Sequence, residues 1–110
     1  MKHLFSTALA FMVASFAGFA QCEAHYVVDA RSFMYAPRML TIEQGESVAF
    51  VNLGGTHDVN GEVDSQTGMS FGNPEAFYLG AVTGAPEGEC IGTYTFNVPG
   101  TYNYDCSIGN

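Results

Sequence analysis

The stretch CIGTYTFNVPGTYNYDC, residues 90–106, carries the clearest fold signal in this sequence. Apolar and polar residues alternate on both sides of Pro99-Gly100, which is the two-residue period of a β-strand with one buried face. The Pro-Gly pair is itself a strong turn signal. The stretch therefore predicts a β-hairpin with strands at residues 93–98 and 101–106. The inward-facing residues of its second strand would be Tyr102, Tyr104 and Cys106.

Further strand signals lie in short runs upstream of this hairpin. Residues 47–52 (SVAFVN) are apolar nearly throughout, as expected for a strand buried on both faces. Shorter β-rich runs occupy residues 25–30, 39–42 and 76–79, whereas the segments at 60–75 and 81–89 are typical of loops. Six or so short strands joined by Gly and Pro turns predict an all-β fold, a Greek-key β-sandwich.

The composition limits the classes of function that the chain can have. It has 110 residues with 3 basic and 11 acidic side chains, which gives a formal charge of −8 at pH 7. That length allows one domain. The acidic balance argues against nucleic-acid binding, which needs a basic face. Three cysteines are too few for a disulfide-dense scaffold.

The N-terminus has the pattern of a signal peptide over residues 1–20. Lys2 supplies a short positive region, an apolar stretch follows, and Gly18 and Ala20 stand at positions −3 and −1 of a cleavage site. A membrane anchor is the alternative, but the stretch is short for one. We expect a mature domain at residues 21–110, without a membrane span and exported to the periplasm or the extracellular space, where disulfides persist.

Two residues stand out on chemical grounds. His57 follows a Gly-Gly break after a buried run, and Cys106 ends an alternating run. A thiolate and an imidazole form a soft, mixed ligand pair that suits copper or, as a second choice, zinc. The alternative to metal binding is that His57 is a solvated histidine and that Cys106 is disulfide-bonded. Pairing of Cys22 with Cys90 would leave Cys106 free, but the sequence does not fix the connectivity.

Three stretches together resemble a plastocyanin-like blue-copper protein of the cupredoxin family. Residues 33–48 resemble the family's aromatic-x-aromatic-x-Pro entry and its next strands. Residues 50–59 resemble the segment with the first copper-binding histidine. The most specific stretch, 98–110, resembles the Pro-Gly-Thr-Tyr segment that runs into the ligand cysteine.

The resemblance implies one copper ion bound by two histidines, one cysteine and a weak axial methionine. Position by position, His57 would be the first histidine and Cys106 the thiolate. Asp58 stands where many relatives have an asparagine that ties the two ligand loops together. By this resemblance Asp58 would orient the ligands through hydrogen bonds without binding the metal itself. The implied function is one-electron transfer by Cu(I)/Cu(II) cycling between redox partner proteins, not catalysis.

The chain departs from the family pattern after Cys106. The family's second histidine, its methionine and its last strand all follow the cysteine, and residues 107–110 contain no histidine or methionine. We therefore expect the sequence to be part of a longer cupredoxin.

Two other functions compete with the electron carrier. One is a secreted module that binds or delivers copper without redox turnover. The other is a metal-free β-sandwich interaction domain. For the carrier, the acidic balance favours docking to the basic faces of redox partner proteins. We expect the carrier to be a monomer.

Overall fold

The computed structural model describes residues 22–108, so the predicted signal peptide lies outside the described residues. No α-helix occurs among residues 22–108, and the described chain forms six strands. In chain order these are β1 (Tyr26–Arg31), β2 (Met34–Ala36), β3 (Ser47–Asn52), β4 (Thr56–Gly61), β5 (Phe77–Thr83) and β6 (Glu89–Thr95). The prediction of an all-β fold is therefore confirmed.

The larger sheet is built around β3. Its strand order is β2-β1-β3-β6, with β1 parallel to β3 and with β6 antiparallel to β3 on the other side. Four of the six residues of β3 are buried, as its continuous apolar run predicted. β2 pairs antiparallel with β1 and forms the outer edge.

The smaller sheet contains β4 and β5 in antiparallel pairing. The segment that leads to Cys106 runs along the free side of β4. There Asn60 and Asp105 exchange both backbone hydrogen bonds, at 2.8 and 3.0 Å. This short antiparallel bridge places residues 104–107 beside the strand that bears His57.

The core lies between the two sheets. Val28, Val48, Phe50 and Ile91 contribute to it from the larger sheet, and Val59 and Phe77 from the smaller. Aromatic side chains fill the rest of the interior, namely Tyr35, Tyr94, Phe96, Tyr102 and Tyr104. Two sheets that share one apolar interior are consistent with a β-sandwich.

The predicted hairpin around Pro99-Gly100 is wrong. Residues 101–106 do not pair with β6, because other groups take up their backbone hydrogen bonds. The Asn73 side chain accepts a hydrogen bond from the N–H of Asn103 and donates one to the Asn103 carbonyl, both at 2.8 Å. The backbone of Asp105 pairs with Asn60 of β4. The predicted inward position of Tyr102 and Tyr104 is nevertheless confirmed, since both pack against the core.

Three boundary predictions also need correction. The strand predicted at residues 39–42 lies instead at Met34–Ala36. A two-residue turn follows β1, so Met34–Ala36 folds back and pairs antiparallel with β1. Met39 is left 88% exposed. The strand predicted at 76–79 extends to Thr83, into the segment expected to be a loop. No strand was predicted at residues 56–61, where the structure has β4 with His57 as its second residue.

Cys22 and Cys90 form a disulfide across a sequence separation of 68 residues. Cys90 lies on β6, opposite Val51 of β3. Cys22 lies in the segment that precedes β1. The bridge therefore ties the start of the described chain to the far edge of the larger sheet. Cys106 is left as a free thiol.

Candidate metal site

A buried asparagine shapes the turn that leads to His57. The side-chain amide of Asn52 donates to the carbonyls of Gly55 and Val82, at 3.0 and 2.7 Å, and accepts from the N–H of Gly54 at 2.9 Å. Asn52 is fully buried, so these three bonds satisfy groups that would otherwise be costly to bury. The turn thus fixes where β4 begins and where its second residue, His57, points.

His57 is a buried histidine with an unpartnered ring nitrogen. Its side chain is 6% exposed, and its Nε2 has no hydrogen-bond partner among the described residues. Two observations explain the glycine at position 55. A Cβ there would lie only 3.3 Å from Nε2 of His57, and the φ of 76° is in the left-handed region that favours glycine.

Asp58 connects the two predicted ligands. Its buried carboxylate accepts hydrogen bonds from the N–H of Ser107 at 2.8 Å, from the Ser107 hydroxyl, and from the Tyr78 hydroxyl at 3.0 Å. The residue after His57 is therefore bonded to the residue after Cys106. The sequence singled out Asp58, but its partners Ser107 and Tyr78 carried no signal.

Tyr35 lies beside Cys106 and was missed by the sequence analysis. Its hydroxyl donates to the Asp58 carbonyl at 2.6 Å. Burial raises the pKa of Tyr35 well above its ordinary value, and the neighbouring Cys106 and Asp58 raise it further. A signal was present in the sequence, since Tyr35 belongs to the aromatic-x-aromatic-x-Pro stretch, but nothing there connected it to Cys106.

The two predicted ligands line one cavity. It is an open cavity of about 960 Å³, and its walls include both His57 and Cys106 together with Met34, Tyr35 and Arg38. Cys106 is half-buried and unbridged, so its thiol is free to react or to bind a metal. The arrangement brings a soft sulfur donor and an imidazole to the same space.

The described residues supply only part of a metal site. Within 22–108, no three His, Cys, Asp or Glu side chains are grouped so that they could hold an ion together. His57 and Cys106, the two predicted ligands, both line the cavity. An imidazole and a free thiol that line one cavity are donor types that a soft ion such as copper accepts.

Tyr104, which also lines this cavity, should make the stability of the protein sensitive to alkali. Burial raises the pKa of Tyr104 from 10.0 to about 12. The folded protein thus holds this proton more tightly than the unfolded chain. The contribution of the protonated Tyr104 phenol to stability is complete below pH 10. It is lost as the pH rises through the pKa of the folded state, which lowers the free energy of unfolding by roughly 2–3 kcal/mol.

Urea unfolding between pH 8 and pH 12 measures this loss, and Tyr104→Phe is the variant to compare. The variant should match the parent near neutral pH, because the Tyr104 hydroxyl makes no hydrogen bond among the described residues, and should lose less stability in alkali. If the free energy of unfolding falls equally with rising pH in the parent and in Tyr104→Phe, Tyr104 is not a source of the alkaline sensitivity. Tyr35 and Tyr94 also have raised pKa values, so part of the slope should remain.

No helix among residues 22–108 is long and apolar enough to span a bilayer. No protein-family model matches the chain, and no curated protein and no solved structure matches it either.

Proposed function

We propose that this chain is an exported, mononuclear blue-copper electron carrier with a cupredoxin-like Greek-key sandwich. The observation that carries the proposal is the shared cavity of His57 and Cys106, with the Asp58–Ser107 hydrogen bonds holding their two segments together. The Cys22–Cys90 disulfide supports export, because such bonds persist in oxidising compartments. The sequence resemblance supplies the identity of the ion.

The residues of the site have distinct roles in this proposal. Cys106 would supply a thiolate and His57 an imidazole, since both residues line the cavity. Bound copper would supply one-electron Cu(I)/Cu(II) chemistry. Asp58 holds Ser107, and thereby the Cys106 segment, against β4, so that the sulfur keeps its place whether or not the ion is bound. The remaining ligands would be a second histidine and an axial methionine. Met34 is a methionine that lines the cavity, and His57 is the one histidine of residues 22–108 that lines it.

A second function is favoured by one observation. Two soft donors at an open cavity suit Cu(I), which accepts low coordination numbers and exchanges readily between thiolate sites. A module that binds and delivers Cu(I) therefore remains a competing proposal. It differs from the electron carrier in needing no Cu(II) state.

The experiment that tests the carrier adds Cu(II) together with imidazole to the purified mature chain. Imidazole can occupy the coordination position that the chain itself does not fill. We expect an intense visible thiolate-to-copper charge-transfer band, lost in Cys106→Ser and weakened in His57→Ala. Co(II) serves as a second probe that does not oxidise the thiol, and its visible bands report tetrahedral thiolate coordination.

His25→Ala is the matched control, because His25 is an exposed histidine bonded to Ser47 and lies outside the cavity. This variant should bind like the parent. A band that survives in Cys106→Ser would overturn the site assignment. Tight Cu(I) binding that requires Cys106, with no charge-transfer band from Cu(II) plus imidazole, would overturn the carrier and favour the delivery module.

A further inference from the structure

A groove reaches the apolar core between two segments that belong to no strand. It has a volume of about 520 Å³, and its two walls are residues 39–42 and residues 98–104. The core residues Val28, Val48 and Phe50 line it, although each of them is at most 3% exposed. The groove is therefore a gap in the cover of the core, distinct from the place where His57 and Cys106 meet.

One wall turns unpaired backbone groups towards the groove. In an extended segment the N–H and C=O of one residue point to the same side, and those of the next residue point to the other side. The backbone groups of Asn103 and Asp105 are bonded on the side of this segment that faces β4. Those of Tyr102 and Tyr104 consequently point away from β4 and towards the groove, where they have no hydrogen-bond partner within the described chain.

The opposite wall is unpaired as well. Among the residues that the structure describes, no hydrogen bond is made by the backbone groups of residues 39–42. The two walls meet at one end of the groove, where the N–H of Gly45 donates to the carbonyl of Phe96 at 2.7 Å. From this junction they run along the groove in opposite chain directions, and residue 104 and Arg38 stand at its other end.

An extended peptide satisfies both walls at once. A β-strand carries N–H and C=O groups along both of its edges, so it can pair with Tyr102 and Tyr104 on one side and with residues 39–42 on the other. Its side chains point alternately to the two faces, and those on one face would cover the exposed part of the core. The occupant that fits this groove is therefore a strand with apolar residues at alternate positions.

We propose that the groove is a docking site for an extended segment of another protein, which inserts as a β-strand and continues the smaller sheet. Such strand addition draws its affinity from main-chain hydrogen bonds and its specificity from alternate side chains. The proposal goes beyond the copper function and does not depend on it.

Charge complementarity narrows the choice of partner. Arg38 lines one end of the groove and makes no ion pair among residues 22–108, and Glu43 lines the other end. The docking segment should therefore have an acidic residue near Arg38 and a basic residue near Glu43. A second copy of this chain is a poorer occupant, because two chains with a formal charge of −8 repel each other.

The test adds a synthetic peptide to the purified mature chain without any metal. The peptide has seven residues and capped ends, with valine at the second, fourth and sixth positions and threonine between them. Its first residue is glutamate, which antiparallel pairing with residues 101–104 places near Arg38, and its last residue is lysine. We expect amide hydrogen exchange at Tyr102 and Tyr104 to slow when the peptide binds. The amide of Asn103 already donates to Asn73 and should change less.

An N-methylated peptide is the matched control for strand pairing. Methyl groups on the backbone nitrogens of the two threonines keep every side chain but remove two donors along one edge. We expect this peptide to bind about 10-fold more weakly, as the loss of two ordinary hydrogen bonds predicts. Equal binding of the two peptides would show that only apolar contact is involved and would overturn strand insertion.

Two arginine variants test the predicted direction of the peptide. Arg38→Gln should weaken binding by about 2–5-fold, as is typical of an exposed ion pair. Arg31→Gln should bind like the parent, because Arg31 pairs with Asp29 and lies outside the groove. Equal binding by Arg38→Gln would overturn the predicted direction.

The chain without peptide provides the last test. If hydrogen exchange at Tyr102 and Tyr104 is already slow there, the groove is filled by a second copy or by a segment of the same chain, and docking of a partner is wrong. Sedimentation at two protein concentrations then tells these two occupants apart. Because no metal is present, each outcome leaves the test of the copper site intact.

Discussion

Replacing Cys22 and Cys90 together by serine should lower the free energy of unfolding by about 4 kcal/mol. The disulfide closes a loop with a sequence separation of 68 residues, which includes β1 to β5 in full. Without the bond, the unfolded chain gains the conformational entropy that this loop closure had removed. Small domains are often stable by only about 5–15 kcal/mol, so the variant would have a narrow margin.

The location of the bond adds to this effect. Cys22 precedes β1 and Cys90 lies on β6, so the bond ties the segment before β1 to an edge strand of the larger sheet. We expect chemical denaturation to show a lower midpoint for the double variant and for the reduced parent. Cys106→Ser is the matched control, since it removes the free thiol and keeps the bond. A midpoint that falls in Cys106→Ser but not in the double variant would contradict the assignment.

The sequence predicted the strands better than it predicted their partners. The positions of β1, β3 and β6 follow from local signals: a β-rich run, a continuous apolar run and side-chain alternation. The destination of residues 101–106 is not local. It depends on Asn73, a loop residue 30 positions before Asn103, whose amide satisfies the backbone of Asn103. Periodicity correctly turned Tyr102 and Tyr104 inward, but it could not show which strand they run beside.

The candidate site shows the same division. His57 and Cys106 were identifiable by their chemistry, because few other side chains in the sequence offer soft donors. Their shared cavity depends on tertiary contacts that no spacing rule predicts, above all the bond from Ser107 to Asp58 across 49 residues. The place of Tyr35 next to Cys106 likewise follows from β2 pairing at Met34–Ala36 instead of at residues 39–42.

Asp58→Ala should weaken both the fold and the candidate metal site. The Asp58 carboxylate is fully buried and receives the Ser107 N–H, the Ser107 hydroxyl and the Tyr78 hydroxyl. The hydroxyls can turn to other acceptors, but the Ser107 N–H cannot. We expect a loss of about 3 kcal/mol, the upper range for a hydrogen bond to a charged group. Affinity for Co(II) at Cys106 should fall by about 10–100-fold, as is typical when a partner that orients a ligand is removed.

Asp58→Asn separates the hydrogen bonds from the charge. The asparagine oxygen can still accept from the Ser107 N–H, and its amide can donate to the oxygen of Ser107 or Tyr78, which are acceptors as well as donors. If Asp58 acts by holding the Cys106 segment, Asp58→Asn should retain most of the stability and of the Co(II) affinity that Asp58→Ala loses. If the negative charge itself matters, both variants should lose affinity together. Tyr78→Phe removes a single donor from the carboxylate and should cost less than Asp58→Ala in both measurements, because the bond to the backbone of Ser107 remains.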